Sequence, residues 1–244
     1  MIRRSRRSWT LLAALLGSAL AYLSTAVPAL ASTSQLVDPE STNAEAINQI
    51  YRAALGVTIT IFVLVGGWLL YSAIRFRERP ENADEEPPQT HGSTRLEIGW
   101  TVVPILILIA LCGYTFWKLP SVEDVPANHI NIHVEAQQFS WTVTYPNGKS
   151  NPGAKITLVA PVNTPVELHL NSKDVIHDWW VPALGQKVDA IPGQTNHIWF
   201  KATRTGIYRG QCDEFCGIGH ADMLIYVKVV TPEAYRTFVN GLKS

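Results

Sequence analysis

Between Gly210 and Met223 the chain reads Gly-Gln-Cys-Asp-Glu-Phe-Cys-Gly-Ile-Gly-His-Ala-Asp-Met, placing two thiols, an imidazole and a thioether within fourteen residues. Cys212 and Cys216 are two of three cysteines, and Met223 is the only methionine besides the initiator. Such a set is a metal loop of soft ligands. Thiolate and thioether favour copper, imidazole suits it, zinc rarely accepts methionine, and calcium or magnesium demand oxygens. Two plainer arrangements stay open on spacing alone. One is a Cys212–Cys216 disulfide in an exported domain, and the other is a structural zinc site.

The second cysteine decides what kind of copper site this would be, because a mononuclear blue site needs two histidines, one cysteine and a weak axial methionine. Two thiolates with two imidazoles can instead bridge and cap a pair of ions. The further imidazole must come from elsewhere. His177, in Ser172-Lys-Asp-Val-Ile-His-Asp178, follows the alternating segment Pro165 to Asn171 and so falls at a strand end rigid enough to hold a ligand.

The segment Asp174-Val-Ile-His-Asp-Trp-Trp-Val-Pro-Ala-Leu-Gly-Gln-Lys-Val-Asp-Ala-Ile-Pro-Gly193, followed by the loop Gln211 to Met223, resembles subunit II of cytochrome c oxidase. That family carries the dinuclear copper centre CuA. The resemblance implies side-chain ligands at His177, Cys212, Cys216, His220 and Met223, with Glu214 contributing its backbone carbonyl. It also implies that the Glu214 carboxylate helps hold a magnesium ion at the boundary with subunit I. Subunits I and III are the implied partners, and cytochrome c is the implied donor. The implied activity is an electron relay: electrons pass to haem in subunit I, where oxygen is reduced to water and protons are translocated. The chain is thus expected to be a component of an enzyme rather than a complete one. Trp179, Trp180, Phe215 and Ile218 are expected to give the metal a dry apolar surround.

The same resemblance bears on other residues. Gln137-Gln-Phe-Ser-Trp-Thr-Val-Thr-Tyr145 is similar to the aromatic segment that receives electrons, with Phe139 standing where a tryptophan is common and Trp141 two residues on; either ring is a candidate. Independently of the resemblance, Asp174, Asp178 and Asp189, with Asp213 and Asp222, surround the ligands in sequence; they would make either an acidic rim for docking a basic cytochrome c or a solvated polar surface in which Asp189 and Asp174 serve the structure or subunit I. Glu97 matches a glutamate near the entrance of a proton path, although a carboxylate in a first helical turn is also favourable in its own right. Two alternatives share these ligands. One is a CuA subunit of a quinol-linked or nitric-oxide-reducing haem-copper complex, the other a membrane copper carrier without a relay. No Cys-x-x-Cys-His haem attachment follows, so the donor is a separate protein.

The elements that must position this site begin in the bilayer. Met1 to Ala31 has the basic start, apolar run and Ala29-Leu-Ala31 end of a cleavable export signal, with cleavage expected after Ala31. Residues 32–52 are expected to be an external segment. Ala53 to Ile74 and Ile98 to Trp117 are each near the ~20 apolar residues that cross a bilayer as helix. Between them residues 75–97 carry Arg75, Arg77, Arg79 and Arg95, which places this loop in the cytoplasm. Residues 118–244 are then external, on the periplasmic side of a bacterial cell membrane. Pro104 is expected to bend the second span slightly, and Cys112 reads as a small apolar residue within it.

From His129 to Val230 short alternating runs, such as Ile130, Ile132 and Val134 between Asn131, His133 and Glu135, predict antiparallel strands. The fold class is therefore a membrane-anchored all-β protein: a two-helix transmembrane hairpin, then a barrel that the resemblance makes a cupredoxin-like Greek key. Pro232 to Leu242 predicts a short terminal helix. His129, His133, His169 and His197 are expected to face solvent, and His91 has no assigned role. With 20 basic and 20 acidic residues the chain is neutral, which gives no reason to expect a nucleic-acid partner.

Overall fold

The computed structural model describes residues 38–78, 89, 91–153 and 156–242. The export signal, its cleavage point and Arg79 lie outside the described residues. The chain divides into two compact units, residues 45–128 and the β domain with the short strap before it.

The first unit is built on α1 (Thr42–Arg75) and α2 (Thr94–Lys118), followed by the single turn α3 (Pro120–Glu123). Helix α1 starts at Thr42, ahead of the apolar block that begins at Ala53, and α2 starts at Thr94 rather than Ile98. Both helices are long and apolar enough to cross a membrane. Their large side chains, including Phe62, Trp68, Trp100 and Phe116, stand exposed in the isolated chain, as a lipid-facing surface requires. Thr58, Thr60, Thr101 and Thr115 each donate a hydroxyl hydrogen bond to the carbonyl four residues earlier, so these four hydroxyls are paired within the helix. Pro104 lies inside α2 without ending it.

The β domain has ten strands in two five-stranded sheets. The first runs in the order β3 (Ser150–Gly153), β2 (Ser140–Thr144), β1 (Ile130–Gln137), β5 (Val166–Ser172) and β8 (Asn196–Phe200). The second runs β4 (Ile156–Pro161), β10 (Leu224–Val230), β9 (Gly206–Cys212), β6 (His177–Trp180) and β7 (Lys187–Ala190). All pairs are antiparallel except β1 with β5 and β4 with β10. The expected barrel thus takes the form of a sandwich of two sheets.

Alternation sets the register of the core. In β1, Ile132, Val134 and Ala136 are buried while Asn131, His133 and Gln137 are exposed; in β5, Val166, Leu168 and Leu170 point in while Glu167 and His169 point out. These residues join Leu158, Trp179, Ile225 and Val227 of the other sheet in one core. Each large aliphatic side chain so buried contributes roughly 1.5–3 kcal/mol. The terminal helix α4 (Pro232–Gly241) is capped by Thr231, whose hydroxyl accepts from the Ala234 N–H, and buries Tyr235 against the core. A short strap ahead of α1 is fastened to the same domain: Ser41 Oγ donates to the Leu184 carbonyl at 2.7 Å, and Glu40 pairs with Arg204.

Candidate metal centre

The site is made where β6 meets β9 and where β9 turns into β10. Trp179 lies opposite Cys212 in the β6–β9 ladder, which brings His177 beside the end of β9. The strands approach so closely that a Cβ on Gly210 would stand 2.2 Å from the Trp180 carbonyl oxygen, which is why glycine occupies that position. The loop from Asp213 to Met223 is closed at its base by the Cys212 N–H, which donates to the Met223 carbonyl at 3.0 Å.

Within that loop the donors converge. His177 Nδ1 is 3.9 Å from Cys212 Sγ, and Cys212 Sγ is 4.0 Å from Cys216 Sγ. Cys216 Sγ in turn is 3.7 Å from His220 Nδ1 and 3.9 Å from Met223 Sδ. The backbone carbonyl of Glu214 lies 3.4 Å from Cys212 Sγ, while its carboxylate is exposed. His177, Cys212, Cys216 and Met223 are buried and His220 is partly so. Every side chain the sequence singled out as a copper ligand is in this cluster.

The geometry bears on the readings left open above. A disulfide needs sulfurs about 2.05 Å apart, and both cysteines are free. A metal bonded to two such donors at about 2.0–2.3 Å with a tetrahedral angle holds them about 3.5–3.8 Å apart, close to the spacings seen. The fully buried thioether of Met223 beside Cys216 argues against structural zinc and for a softer ion. Burial, reinforced by the adjacent Cys212, pushes the Cys216 thiol up to about 12 in the metal-free chain. The buried setting thus favours the neutral Cys216 thiol until a cation is bound.

Asp174 takes the structural part left open for it in the sequence. Its Oδ1 is 3.0 Å from His177 Nε2, the ring nitrogen turned away from the sulfurs, and its carboxylate also accepts from the Gln138 and Val175 N–H groups, each at 2.7 Å. Burial opposes ionisation, but these bonds outweigh it and hold the carboxyl down to about 2. Asp174 orients a ligand rather than standing free on a docking rim. Asp178 is withdrawn from that rim altogether. It is 2 % exposed, and burial together with a hydrogen bond to Asp189 pushes its carboxyl up to about 7. Asp213 is paired with Lys187 at 2.8 Å. Asp189 is half-buried opposite Asp178 in the β6–β7 ladder, and Asp174 and Asp222 are the exposed members of the five.

The aromatic expectations divide in the same way. Trp141 has no exposed surface, packing edge-on to Trp179 with ring centroids 5.3 Å apart and to His177 at 6.0 Å. It has no surface with which to meet a donor. Phe139 is half-buried and lies over the metal loop; a Cβ on Gly219 would come within 2.5 Å of its ring. Of the residues expected to dry the site, Trp179 does so, whereas Phe215 and Ile218 are 78 % and 101 % exposed. Phe215 keeps one contact, edge-on to His220. With Val175 and Ile176 these two make apolar surface on the segments that carry the ligands. Glu97 is exposed in the first turn of α2.

The four β-domain histidines lie at the outer surface as expected, but they gather there into one cluster. His129, His169 and His197 all approach Glu167, and His133 stacks on His169 with centroids 4.9 Å apart. Burial lowers the His169 pKa; Glu167 opposes the fall, and the neighbouring imidazoles deepen it. No spacing rule in the sequence points to this cluster, because its members come from three strands and a turn.

A sandwich of two sheets with a His, Cys and Met cluster at one end, following two membrane-length helices, defines a membrane-anchored, cupredoxin-like metal domain. Comparison with known proteins gives the family. A family model described as cytochrome c oxidase subunit II, periplasmic domain, matches residues 151–230, and one described as its transmembrane domain matches residues 28–117. Cytochrome c oxidase subunit 2 of Cereibacter sphaeroides is 34 % identical, over 74 % of this chain and 70 % of that protein. Cytochrome c oxidase subunit 2 of Alkalihalophilus pseudofirmus is 33 % identical over 85 % of this chain, which spans 62 % of that relative's length. The crystal structure of the periplasmic domain of Bradyrhizobium japonicum cytochrome oxidase subunit II is similar with a TM-score of 0.46 and 33 % identity, covering 48 % of this chain and 96 % of that one. The chain belongs to the cytochrome c oxidase subunit II family, and is a membrane protein with a periplasmic β domain.

Proposed function

We propose that this chain is the electron-receiving subunit of a haem-copper oxidase, taking electrons from cytochrome c and passing them to haem in subunit I. There oxygen is reduced to water with proton translocation. The observation that carries the proposal is the convergence of two unlinked, buried sulfurs with an imidazole at either end and a thioether alongside. Held by His177, Cys212, Cys216, His220 and Met223, a pair of copper ions would supply a one-electron carrier.

The protein's part is to keep that cage still. His177 is held at both ring nitrogens, by the sulfur side at Nδ1 and by Asp174 at Nε2, so its ring is fixed before a metal arrives. Gln138 Nε2 donates to the Cys216 carbonyl at 2.6 Å, tying the loop to the segment that carries Phe139. Trp141 and Trp179 exclude water from the His177 side. A rigid, dry site needs little rearrangement when its charge changes.

Phe139 is the ring that receives electrons, because it combines partial exposure with a position over the loop. The docking surface is the apolar patch of Phe215, Ile218, Val175 and Ile176, with Asp222 and Asp189 as its remaining acidic contribution. The exposed Glu214 carboxylate is free to hold magnesium with subunit I, and Glu97 serves as the entrance of a proton path there. Copper loading of the purified full-length chain tests the central claim. Two coppers per chain are expected, with an electron spin resonance pattern spread over two copper nuclei. One copper per chain, or a Cys212–Cys216 disulfide found by mass spectrometry in the chain that fails to load, would overturn it.

A further inference from the structure

On the outer face of the first sheet a second cluster of metal-type donors lies outside the site described above. In the antiparallel ladder of β5 and β8, His169 stands opposite His197, and in the parallel ladder of β1 and β5 it stands opposite His133. One row across three strands thus carries three imidazoles. Glu167 is two residues before His169 on the same face, and His129 comes up to it from the turn before β1.

We propose that Glu167, His169 and His197, with His129 as the fourth ligand, form a separate site for one divalent transition-metal ion of the zinc(II) class. Three imidazole nitrogens surround a single carboxylate: His129 Nε2 is 3.0 Å from Oε2, His169 Nε2 is 3.6 Å from Oε2, and His197 Nδ1 is 3.4 Å from Oε1. Four ligands bonded to zinc at about 2.0–2.1 Å in a tetrahedron lie about 3.3 Å apart. The three separations from the carboxylate bracket that value. The ligand atoms of Glu167, His169 and His197 all fall within 4.8 Å of one another, so small side-chain rotations bring them onto one ion.

The surroundings favour the metal further. His169 is wedged between two other rings, stacked on His133 and edge-on to His197 with centroids 4.6 Å apart, which limits its rotation. Strand-borne ligands hold position better than loop-borne ones. The competing arrangement is a hydrogen-bonded cluster without metal, in which His169 Nε2 keeps its 2.8 Å contact to Asn131 Oδ1. Metal at Nε2 breaks that contact, and Asn131 is exposed, so water replaces it. Imidazole and carboxylate without thiolate select zinc(II) or copper(II) over copper(I), which makes this cluster chemically distinct from the sulfur site.

The test uses the full-length chain in detergent, loaded with copper and then washed with a copper(II) chelator so that only the thiolate site stays filled, before titration with zinc(II) by calorimetry and counting by elemental analysis. One zinc per chain beyond the copper is expected. Glu167→Gln and His197→Ala should each weaken zinc binding by about 10–100-fold, while copper content and the copper absorption bands stay unchanged. Zinc should also bind to a Cys212→Ser/Cys216→Ser chain, so failure of the copper reading would leave this result intact. Glu167→Gln preserves shape at a partly exposed position and serves if the histidine variant does not fold. No zinc retained, or zinc retained equally by both variants, would overturn the site.

Discussion

The two clusters of the β domain contrast in almost every respect that matters to a metal. The sulfur site is buried, soft and carried mainly by one hairpin loop, with His177 fixed from behind by a carboxylate. The Glu167 cluster is half-exposed, has only imidazole and carboxylate donors, and is assembled by register across three strands. A loop shields its metal from water and can tune it for electron transfer; an open sheet face can bind an ion but leaves it hydrated. The difference also separates what each variant should do.

The largest effect is expected from Cys216→Ser. Cys216 touches Cys212, His220 and Met223, so its loss removes the bridge as well as one ligand. The two-copper spectrum should vanish and oxidase turnover should fall by well over about 100-fold, beyond what removal of a supporting residue costs. Counting copper in the purified oxidase checks it. An unchanged count of two would break the contrast between the clusters at its root.

Asp174→Asn should follow. The amide keeps the shape but removes the charge that steadies His177 Nε2, and copper affinity should drop about 10–100-fold. The copper count at low free copper reads this directly. A copper affinity equal to that of the wild-type chain would show that Asp174 serves only the turn formed with Gln138 and Val175.

Gly219→Ala probes the loop's packing in place of its ligands. The new methyl would sit 2.5 Å from the Phe139 ring, and crowding of this kind costs about 1–3 kcal/mol. The cost should largely disappear in a Phe139→Ala background, a coupling that a double-mutant thermal series measures. If the two changes simply add, Phe139 is not what holds the loop down.

How much of this was legible in the sequence follows from the same contrast. Four of the five side-chain ligands stand between Cys212 and His220 or close after, so spacing alone exposed them, and the helices and alternating strands read correctly from hydropathy. His177 was legible only as an imidazole at a strand end, because only folding brings it beside Cys212. The Glu167 cluster was missed for a physical reason: alternation correctly puts His133, His169 and His197 outside, but a pattern along one strand says nothing of which outer residues become neighbours. The acidic rim was read from the same kind of nearness along the chain. Proximity in sequence did not reveal that Asp178 turns inwards, that Asp174 turns to His177 or that Asp213 is paired with Lys187.

The smallest stability effect should come from Ile218→Ser, which separates packing from docking. Ile218 is fully exposed and touches no core, so folding stability should change by no more than about 0.5 kcal/mol, and the copper spectrum should be unaltered. If the apolar surface beside the ligands meets the donor, burying one fewer large side chain there should still raise KM for cytochrome c severalfold with kcat at saturation preserved, since desolvated apolar contacts dominate such interfaces. Steady-state oxidation of cytochrome c by the assembled enzyme measures both constants. A KM that stays put would move the docking surface away from the loop and towards Asp189 and Asp222, where a steep dependence on ionic strength would then be required.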